Sequence, residues 1–303
     1  MISIVICTYN RDKYLGTTLS MIASCKLPSG GYELVLVDNN CTDSTSEICR
    51  EFASSHPEIS FKYVLESNQG LSYARNRGIS ESAGDVIVFL DDDAFVSENY
   101  LQRLEVRLSE FPDAAAFGGR IRPLFENGAA PGWLCRWTRS WLSALDMGDE
   151  PKVFSKGYPI GANMGFRRSA LELCGGFDTR LGRTGKNLMG GEEKDIFLRL
   201  MGKGFKVLYF PDVEVQHVIP ESRTTREYIV RFAKGVGCSE YLRCKADGGL
   251  SLARRIISEG VKWGASLLLW LIYAFSGRKE CGEMLLLFRK NVTSGLLFHK
   301  DLR

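Results

Sequence analysis

Three consecutive carboxylates, Asp91, Asp92 and Asp93, follow an apolar run in the segment GDVIVFLDDDAFV, residues 84–96. Like charges this close repel one another, so a partly buried cluster either raises its pKa values or binds a cation. Carboxylate oxygens are the ligands that hard divalent ions prefer. The segment therefore predicts a site for Mn²⁺ or Mg²⁺, with a solvated turn as the alternative.

Polar side chains also follow the three earlier apolar runs. The residues concerned are Thr8, Tyr9, Asn10 and Arg11 after the first run, Asp38 after the second, and Asn68 and Gly70 after the third. Aspartate can accept a base N–H group or ribose hydroxyls, and Arg11 or Arg75 can pair with phosphate. Asp38 alone can equally be part of a turn or a helix cap. Together these residues suit a nucleotide diphosphate, although the chain has no GxGxxG or GxxxxGKS loop.

Apolar runs alternate with helix-like stretches from the N-terminus to Glu110. The predicted strands are 2–7, 32–38, 61–67 and 85–91. The first predicted helix ends near residue 24, and the other three cover 44–55, 71–82 and 97–110. Fully apolar strands separated by helices are typical of a mainly parallel sheet covered on both faces. The sequence therefore predicts an α/β doubly wound, Rossmann-like domain, in which ligands bind at the carboxyl ends of the strands.

The ordered motifs VICTYNR, LVDNNCTDST, NQGLSYARNRGI and FLDDDA resemble the nucleotide-binding half of a family-two glycosyltransferase with the GT-A fold. The later segments IGANMGFRRSALELCGGFDTRLG and GGEEKDIFLRLMGKGFKVLYFPDVEVQH resemble the acceptor half of that family. The resemblance implies a GT-A catalytic domain over residues 1–225, with a nucleotide-sugar half at about 1–125 and an acceptor half at about 126–225. Residues 226–303 are then expected to form a helical C-terminal extension.

The resemblance implies a metal-dependent inverting glycosyltransferase of polysaccharide or glycoconjugate biosynthesis. The expected donor is a nucleotide-diphosphate sugar, most simply a UDP-sugar, and the acceptor is a hydroxyl of a saccharide or a lipid-linked molecule. The resemblance implies that Asp38 contacts the base, and that the ribose, metal and diphosphate are contacted by Asp91, Asp92 and Asp93. The residues implied beside the nucleotide are Asn68, Gly70, Arg75 and Asn76. The metal would neutralise the charge that develops on the departing diphosphate.

Inverting transfer also needs a base that removes the proton of the acceptor hydroxyl. The segment GGEEKDIFLRL supplies Glu192, Glu193 and Asp195, where the family commonly has a Glu-Asp pair. We expect Glu193 to be the base, with Asp195 and Glu192 as alternatives. Acidic residues are favoured at any helix N-terminus, which is the non-catalytic interpretation of the same segment.

Three residues of the acceptor half are further candidates. The resemblance places His217 where a histidine completes the metal or diphosphate site, although a lone histidine beside a strand more often only forms hydrogen bonds. Arg223 is the next candidate for phosphate. Asn163 is the polar member of a predicted strand and turn that lines the donor sugar.

Trp133, Trp137 and Trp141 recur at intervals of four residues. This spacing predicts that they share one face of a helix. Packing in a core or an interface is one use of such a face, and stacking on a sugar ring is the other.

Composition restricts the partners and the compartment. A net charge of +3 gives no indication of nucleic-acid binding. Nine cysteines without a CxxC pair are typical of reduced thiols in the cytosol, and the first residues, MISIVIC, predict a strand rather than a signal peptide. We therefore expect a cytoplasmic protein that is peripheral at the inner membrane face if its tail binds lipid, while its oligomeric state stays open.

The tail differs from the rest of the chain in charge. Residues 251–303 hold nine Lys or Arg and four Asp or Glu, a net charge of +5. Within the tail, the run WGASLLLWLIYAF is apolar but only thirteen residues long, whereas roughly 20 are needed to cross a bilayer. We therefore expect that this run does not span a membrane alone. It either lies on an anionic membrane surface or packs on the protein.

Two other functions compete with sugar transfer. A sugar-phosphate nucleotidyltransferase has a related sheet but usually carries a glycine-rich, basic loop after the first strand, and TYNRDKYL contains no glycine. A non-catalytic nucleotide-sugar-binding module has no need of Asp91, Asp93 and the Glu192-Glu193 pair together. Both alternatives are therefore ranked below a glycosyltransferase.

Overall fold

The computed structural model describes residues 1–185 and 188–298. The strands of these residues are β1 Ile2–Thr8, β2 Tyr32–Asp38, β3 Ser60–Leu65, β4 Val86–Leu90, β5 Ala94–Val96, β6 Ala114–Phe125, β7 Lys152–Val153, β8 Asn163–Arg167 and β9 Lys206–Ile219. The helices are α1 Asp12–Ala23, α2 Thr45–Ser55, α3 Leu71–Glu81, α4 Tyr100–Glu110, α5 Arg168–Cys174, α6 Glu192–Gly202, α7 Glu221–Thr224, α8 Arg226–Ala246, α9 Gly249–Phe275 and α10 Lys279–Leu297, with a 3₁₀ helix at Arg139–Leu142. The strands and helices predicted from the N-terminus to Glu110 are confirmed as β1 to β4 and α1 to α4.

The strands form one sheet in the order β3-β2-β1-β4-β8-β6-β9-β5, and β7 pairs with β9. The β3-β2-β1-β4 half is parallel, whereas β8 pairs antiparallel with β4 and β6, and β5 pairs antiparallel with β9. In this register Thr8 lies beside Asp38 at the ends of β1 and β2, and Ala94 lies beside His217. The predicted polar residues are thereby gathered at the carboxyl edge of the parallel half.

Both faces of the sheet are buried. Along β1, Ile4 and Ile6 pack in one apolar cluster with Leu15 of α1, and the intervening Val5 packs in a second cluster with Phe197 of α6. Successive side chains of a strand point to opposite faces, so a strand that is apolar at every position must be covered on both sides. The layered α/β architecture follows directly from these runs.

The chain divides into two compact units by its internal contacts. The first comprises Met1–Leu124, Ser143–Arg180 and Glu192–Val218, and the second comprises the described residues of Phe125–Leu142, Leu181–Gly191 and Ile219 onward. The first unit contains most of the sheet and the second contains α7 to α10. Whether residues 1–225 and 226–303 work as separate domains stays a prediction.

The predicted helical extension is confirmed as α8, α9 and α10. Helices α8 and α10 approach closely through two glycines. A Cβ at Gly237 would overlap the backbone oxygen of Val292, and a Cβ at Gly295 would overlap that of Lys234. Around this contact the second unit has its own apolar core, which includes Tyr228, Phe288 and Val292 among others.

The prediction of a helix from the tryptophan spacing is wrong. Turns occupy most of this segment, and only a short 3₁₀ helix, Arg139–Leu142, follows them. The Thr138 hydroxyl accepts the N–H of Cys135 at 2.8 Å, and such a side-chain bond to a nearby backbone group competes with helix formation. Trp141 stacks on Phe288 at 4.0 Å between ring centroids, whereas Trp137 is exposed. Packing therefore accounts for Trp141 but not for Trp137.

The apolar helix of the tail is longer than its apolar run suggested. Helix α9 covers Gly249–Phe275, 27 residues, and by length and composition alone it is sufficient to cross a membrane. The charged residues before the run do not end the helix, because Arg255 and Glu259 pair one turn apart at 2.6 Å. The argument that the segment is too short to span is therefore wrong, although length does not decide between a spanning helix and one on a surface.

Candidate active site

Two of the three consecutive aspartates lie beside His217. His217 Nε2 is 3.1 Å from Asp93 Oδ1 and 3.7 Å from Asp91 Oδ2. The pairing of β5 with β9 produces this contact, and the Val218 N–H donates to the Asp93 carbonyl at 2.9 Å. One ligand atom from each of Asp91, Asp93 and His217 lies within 4.8 Å of the other two. These three residues are candidate ligands of one metal ion, as the sequence predicted.

Asp92, the middle aspartate, is turned away from this cluster. Its Oδ2 accepts the Thr8 hydroxyl at 2.8 Å, and its Oδ1 lies 3.2 Å from Arg11 Nη1. The other terminal nitrogen of Arg11 pairs with Asp93. Burial raises the pKa of the Asp92 carboxyl to about 6 against the opposing charge of Arg11. Asp92 thus fixes the β1 end and Arg11, while Asp91 and Asp93 face the histidine.

Asp38, at the end of β2, is buried with both carboxylate oxygens hydrogen-bonded. Its Oδ1 accepts the N–H of Cys41 at 2.7 Å, and its Oδ2 accepts the Tyr63 hydroxyl at 2.5 Å. Asn10 has a positive φ of 51° and its Oδ1 accepts the N–H of Thr42 at 2.7 Å. These bonds hold the β1 and β2 ends against each other beside Asp38.

Asn39 is a residue of this edge that the sequence interpretation missed. Its side-chain amide donates to the carbonyls of Glu66 at 3.0 Å and Asn68 at 2.7 Å, and its Oδ1 accepts the Gly70 N–H at 2.7 Å. Gly70 has φ 144°, a conformation that favours glycine. Asn39 therefore shapes the loop that carries the predicted nucleotide contacts Asn68 and Gly70.

The Glu192-Glu193 pair opens α6 and is bound by one buried arginine. Arg75 Nη1 lies 2.9 Å from Glu192 Oε1, and Arg75 Nη2 lies 3.2 Å from Glu193 Oε1. The Gly161 N–H donates to the same Glu193 oxygen at 2.9 Å. A Cβ at Gly161 would overlap both Arg75 and Glu193, so the close approach requires glycine. The predicted phosphate contact Arg75 is therefore engaged with the predicted base.

Glu193 is partly exposed and its carboxyl has a raised pKa. The side chain of Glu193 is 22% exposed, whereas Glu192 is buried. Burial raises the pKa of the Glu193 carboxyl to about 7, and the charge of Glu192 adds to the rise while the Arg75 guanidinium opposes it. Asp195 is paired along the helix with Arg199, with two contacts of 2.8 Å. A carboxyl with a pKa near neutrality is suited to proton transfer.

The remaining predicted residues lie in different settings. Asn76 binds the Phe177 backbone, donating to its carbonyl at 2.9 Å and accepting its N–H at 2.8 Å. Asn163 is buried; it accepts the Tyr100 hydroxyl at 2.7 Å and donates to the Val213 carbonyl at 2.8 Å. Arg223 lies in α7, in the second unit. Their predicted contacts with the donor stay predictions.

Most of the first unit matches a known protein family. The family model described as "Glycosyl transferase family 2" matches residues 3–175, more than half of the chain. The chain belongs to glycosyl transferase family 2. It is an inverting glycosyltransferase that transfers a sugar from a nucleotide sugar in glycoconjugate or polysaccharide biosynthesis. The two competing functions, a nucleotidyltransferase and a non-catalytic module, are thereby set aside.

Two curated relatives span most of this family 2 chain. It is 30% identical to the succinoglycan biosynthesis protein ExoM of Rhizobium meliloti (strain 1021), over 99% of this chain and 94% of that protein. It is 27% identical to the glucosyl-dolichyl phosphate glucuronosyltransferase of Haloferax volcanii, over 76% of this chain and 72% of that protein. The similarity therefore extends well beyond the matched family model.

Solved structures confirm the predicted GT-A fold. The mannosyltransferase PcManGT from Pyrobaculum calidifontis, in complex with GDP-Man and Mn²⁺, has a TM-score of 0.66 at 18% identity, over 99% of this chain and 88% of that chain. GalNAc-T7 with UDP, GalNAc and Mn²⁺ has a TM-score of 0.54 at 19% identity, over 78% of this chain and 48% of that chain. At these identities the likeness extends to the fold alone.

Proposed function

We propose that this family 2 enzyme works with a divalent cation held by Asp91, Asp93 and His217. The observation that carries the proposal is their convergence, with ligand atoms within 4.8 Å of one another at the end of β4. Two carboxylates suit Mn²⁺ or Mg²⁺, and the imidazole nitrogen favours Mn²⁺ of the two. The donor set therefore fits the cation that the sequence predicted.

When bound, the cation would neutralise negative charge on the departing nucleoside diphosphate. Arg11 is a second positive group beside the same carboxylates, held by Asp92 and Asp93. In this proposal Asp38 contacts the base, and Asn68 and Gly70 contact the rest of the nucleotide. Hydrogen bonds of Tyr63 with Asp38 and of Asn39 with Asn68 support this assignment. In this proposal, loops already held by hydrogen bonds orient the bound nucleotide.

Glu193 is the proposed base for the acceptor hydroxyl. Its Oε1 accepts from Arg75 and from the Gly161 N–H, which leaves Oε2 to take the proton. Removal of that proton lets the hydroxyl oxygen attack the anomeric carbon from the face opposite the leaving diphosphate. The pKa of Glu193, raised to about 7, and its N–H contact from Gly161 support this residue as the base.

The donor is proposed to be a UDP-sugar and the acceptor a saccharide or a lipid-linked molecule. UDP or UDP-GlcNAc is present in solved structures of similar fold, and the Haloferax relative is described as acting on a glucosyl-dolichyl phosphate. PcManGT binds GDP-Man, so a GDP-sugar is the competing donor. A cytoplasmic location is supported by the nine free cysteines, all of which lie in the described residues.

Calorimetry tests this proposal. The wild-type chain is titrated with UDP-sugars and GDP-mannose, with and without Mn²⁺, and metal-dependent binding of one donor is expected. Asp93→Asn is expected to abolish that binding because it removes a carboxylate from the cation site. The matched control is Asp85→Asn, whose side chain is 88% exposed and lies outside the cluster. Unchanged Mn²⁺-dependent affinity in a folded Asp93→Asn protein would contradict the assignment.

A further inference from the structure

One face of α9 carries exposed apolar side chains along the whole helix. They are Leu250, Ile257, Val261, Leu268, Ile272 and Phe275, with exposed fractions from 52% to 89%. Their spacings of seven, four, seven, four and three residues place them on one side of the helix. We call these six residues the α9 stripe. The exposed Arg254 lies on the same side between Leu250 and Ile257, and the surface is apolar from Ile257 to Phe275. An exposed apolar surface of this kind usually marks a partner or a membrane contact.

The opposite face of α9 carries polar interactions. Glu259 is buried and accepts from Arg255 Nη1 at 2.6 Å and from Arg289 Nη1 at 2.8 Å. The indole N–H of Trp263 donates to the Thr293 hydroxyl at 2.9 Å. A surface helix in water buries its apolar side and exposes its charges. Helix α9 instead exposes an apolar stripe and buries Glu259, so the stripe suits an environment less polar than water.

The exposed charges within α9 are positive. Glu259 is the only acidic residue of Gly249–Phe275, and it is buried in its ion pairs. The exposed charged residues within this described helix are Arg254 and Lys262. After its end, Arg278 and Lys279 are followed by the exposed Glu280, and Lys279 pairs with Glu283 at 3.3 Å. A second copy docked through the same face would bring like charges together. Anionic lipid headgroups would instead be attracted to them.

We infer that α9 lies in the headgroup region of an anionic membrane, with the α9 stripe directed toward the acyl chains. Lys262 is exposed at the middle of the helix, and a crossing helix would carry this ammonium group deep into the hydrocarbon, where a charge is costly. A helix in the plane of the interface leaves Arg254 and Lys262 at the headgroups. The inference does not depend on the donor or on the cation site.

The assignment changes which tail residues face lipid. Trp263 and Trp270 belong to the apolar run but not to the stripe. Trp263 instead bonds to α10, and Trp270 packs against Gly282, where a Cβ would lie 2.9 Å from the Trp270 Cα. Aliphatic residues of the stripe and Phe275 take their place. A sharp test therefore changes the stripe and leaves both tryptophans in position.

Co-sedimentation of the full chain tests the inference. The probes are vesicles of phosphatidylcholine with a minor share of anionic phosphatidylglycerol, and vesicles of phosphatidylcholine alone. Binding to the anionic vesicles is expected, with weaker binding to the neutral ones and a several-fold loss at high salt. The variant Ile257→Asp with Leu268→Asp is expected to lower the vesicle partition coefficient by roughly tenfold or more.

The matched control places the same two substitutions on exposed apolar residues of the first unit, Val106→Asp with Leu173→Asp. This control is expected to bind vesicles as the wild type does. All four positions are exposed, so both variants are expected to keep the wild-type circular dichroism and melting temperature. An unfolded stripe variant would mean that the stripe is buried in the folded protein, which would overturn the inference.

Other results would also overturn it. Wild-type protein that binds neither vesicle, or a stripe variant that binds as tightly as the control, would exclude lipid as the occupant. Bound protein that resists alkaline carbonate extraction would indicate a spanning helix, whereas release supports the surface position. Light scattering that shows a wild-type dimer and a monomeric stripe variant, without vesicle binding, would assign the stripe to a second copy of the chain.

Discussion

Glu193 has one carboxylate oxygen fixed by two donors and a pKa raised to about 7. Burial is the main cause, the neighbouring Glu192 adds to it, and Arg75 limits it. An ordinary glutamate, with a pKa near 4.3, would be ionised throughout the neutral range but would be a weak proton acceptor. Glu193 is therefore a stronger base, at the cost of being half protonated near neutrality.

The pH dependence of transfer follows from this shift. A base acts when it is unprotonated, so with saturating donor and Mn²⁺ the turnover rate is expected to fall as the pH drops below about 7, approaching tenfold per pH unit. Glu193→Gln is expected to lower kcat by roughly a hundredfold or more with donor affinity unchanged. Initial rates and donor calorimetry across this pH range measure both effects.

The control for this variant is Glu58→Gln, an exposed glutamate outside the site, which should keep the wild-type profile. Persistent transfer in Glu193→Gln, together with its loss in Asp195→Asn, would assign the base to Asp195. A rate that stays constant from pH 7 to pH 5 in the wild type would likewise contradict the role of Glu193.

At the scale of elements, Arg75 joins α3 to the start of α6. Its two terminal nitrogens contact two different carboxylates, and its guanidinium lies 5.3 Å from the Phe177 ring centroid. A planar guanidinium can make two such contacts at once, whereas a lysine ammonium is a single point of charge. Arg75 of α3 therefore orients Glu193, the proposed base, at the start of α6.

Arg75→Lys tests this coupling. The change keeps a positive charge but removes one of the two contacts, so Glu193 is expected to lose its orientation. We expect kcat to fall roughly tenfold or more, the acid limb of the pH profile to move, and the KM for the donor to change little. Steady-state kinetics over a pH series measures all three quantities.

The neighbouring Arg77→Lys is the matched control, since Arg77 is on the surface of α3 and pairs along the helix with Glu81. It should leave the kinetics unchanged. A raised donor KM with unchanged kcat and pH profile in Arg75→Lys would instead support the nucleotide contact that the family resemblance implied for Arg75.

At the scale of the whole molecule, periodicity was sufficient for the parallel half of the sheet. Strands such as β1 are apolar at nearly every position, and that pattern has one common solution, a sheet covered on both faces. The cluster of Asp93 and His217 was expected from ordered motifs, because strand order brings residues distant in the chain to the same edge. The strands follow from local pattern, and the cluster follows from the order of the strands.

Other features depend on partners that local pattern does not contain. The contact of Arg75 with Glu193 joins two motifs, and each motif alone suggested a different role. Asn39 is one of several consecutive polar residues after β2, and only its three backbone bonds identify it as the support of the next loop. The tryptophan spacing predicted a helix, whereas Thr138 bonds to the backbone of Cys135 in a turn. Helix α9 begins well before its apolar run and includes the ion pair of Arg255 with Glu259.

Pulsed electron paramagnetic resonance of Mn²⁺ measures the proposed cation site most directly. The sample is the full chain with Mn²⁺ and the nucleoside diphosphate of the donor selected by calorimetry. We expect ¹⁴N coupling from the His217 imidazole together with ³¹P coupling from the diphosphate, and selective loss of the ¹⁴N signal in His217→Asn. Protein-bound Mn²⁺ with ³¹P coupling but no ¹⁴N coupling in the wild type would contradict a site built from Asp91, Asp93 and His217.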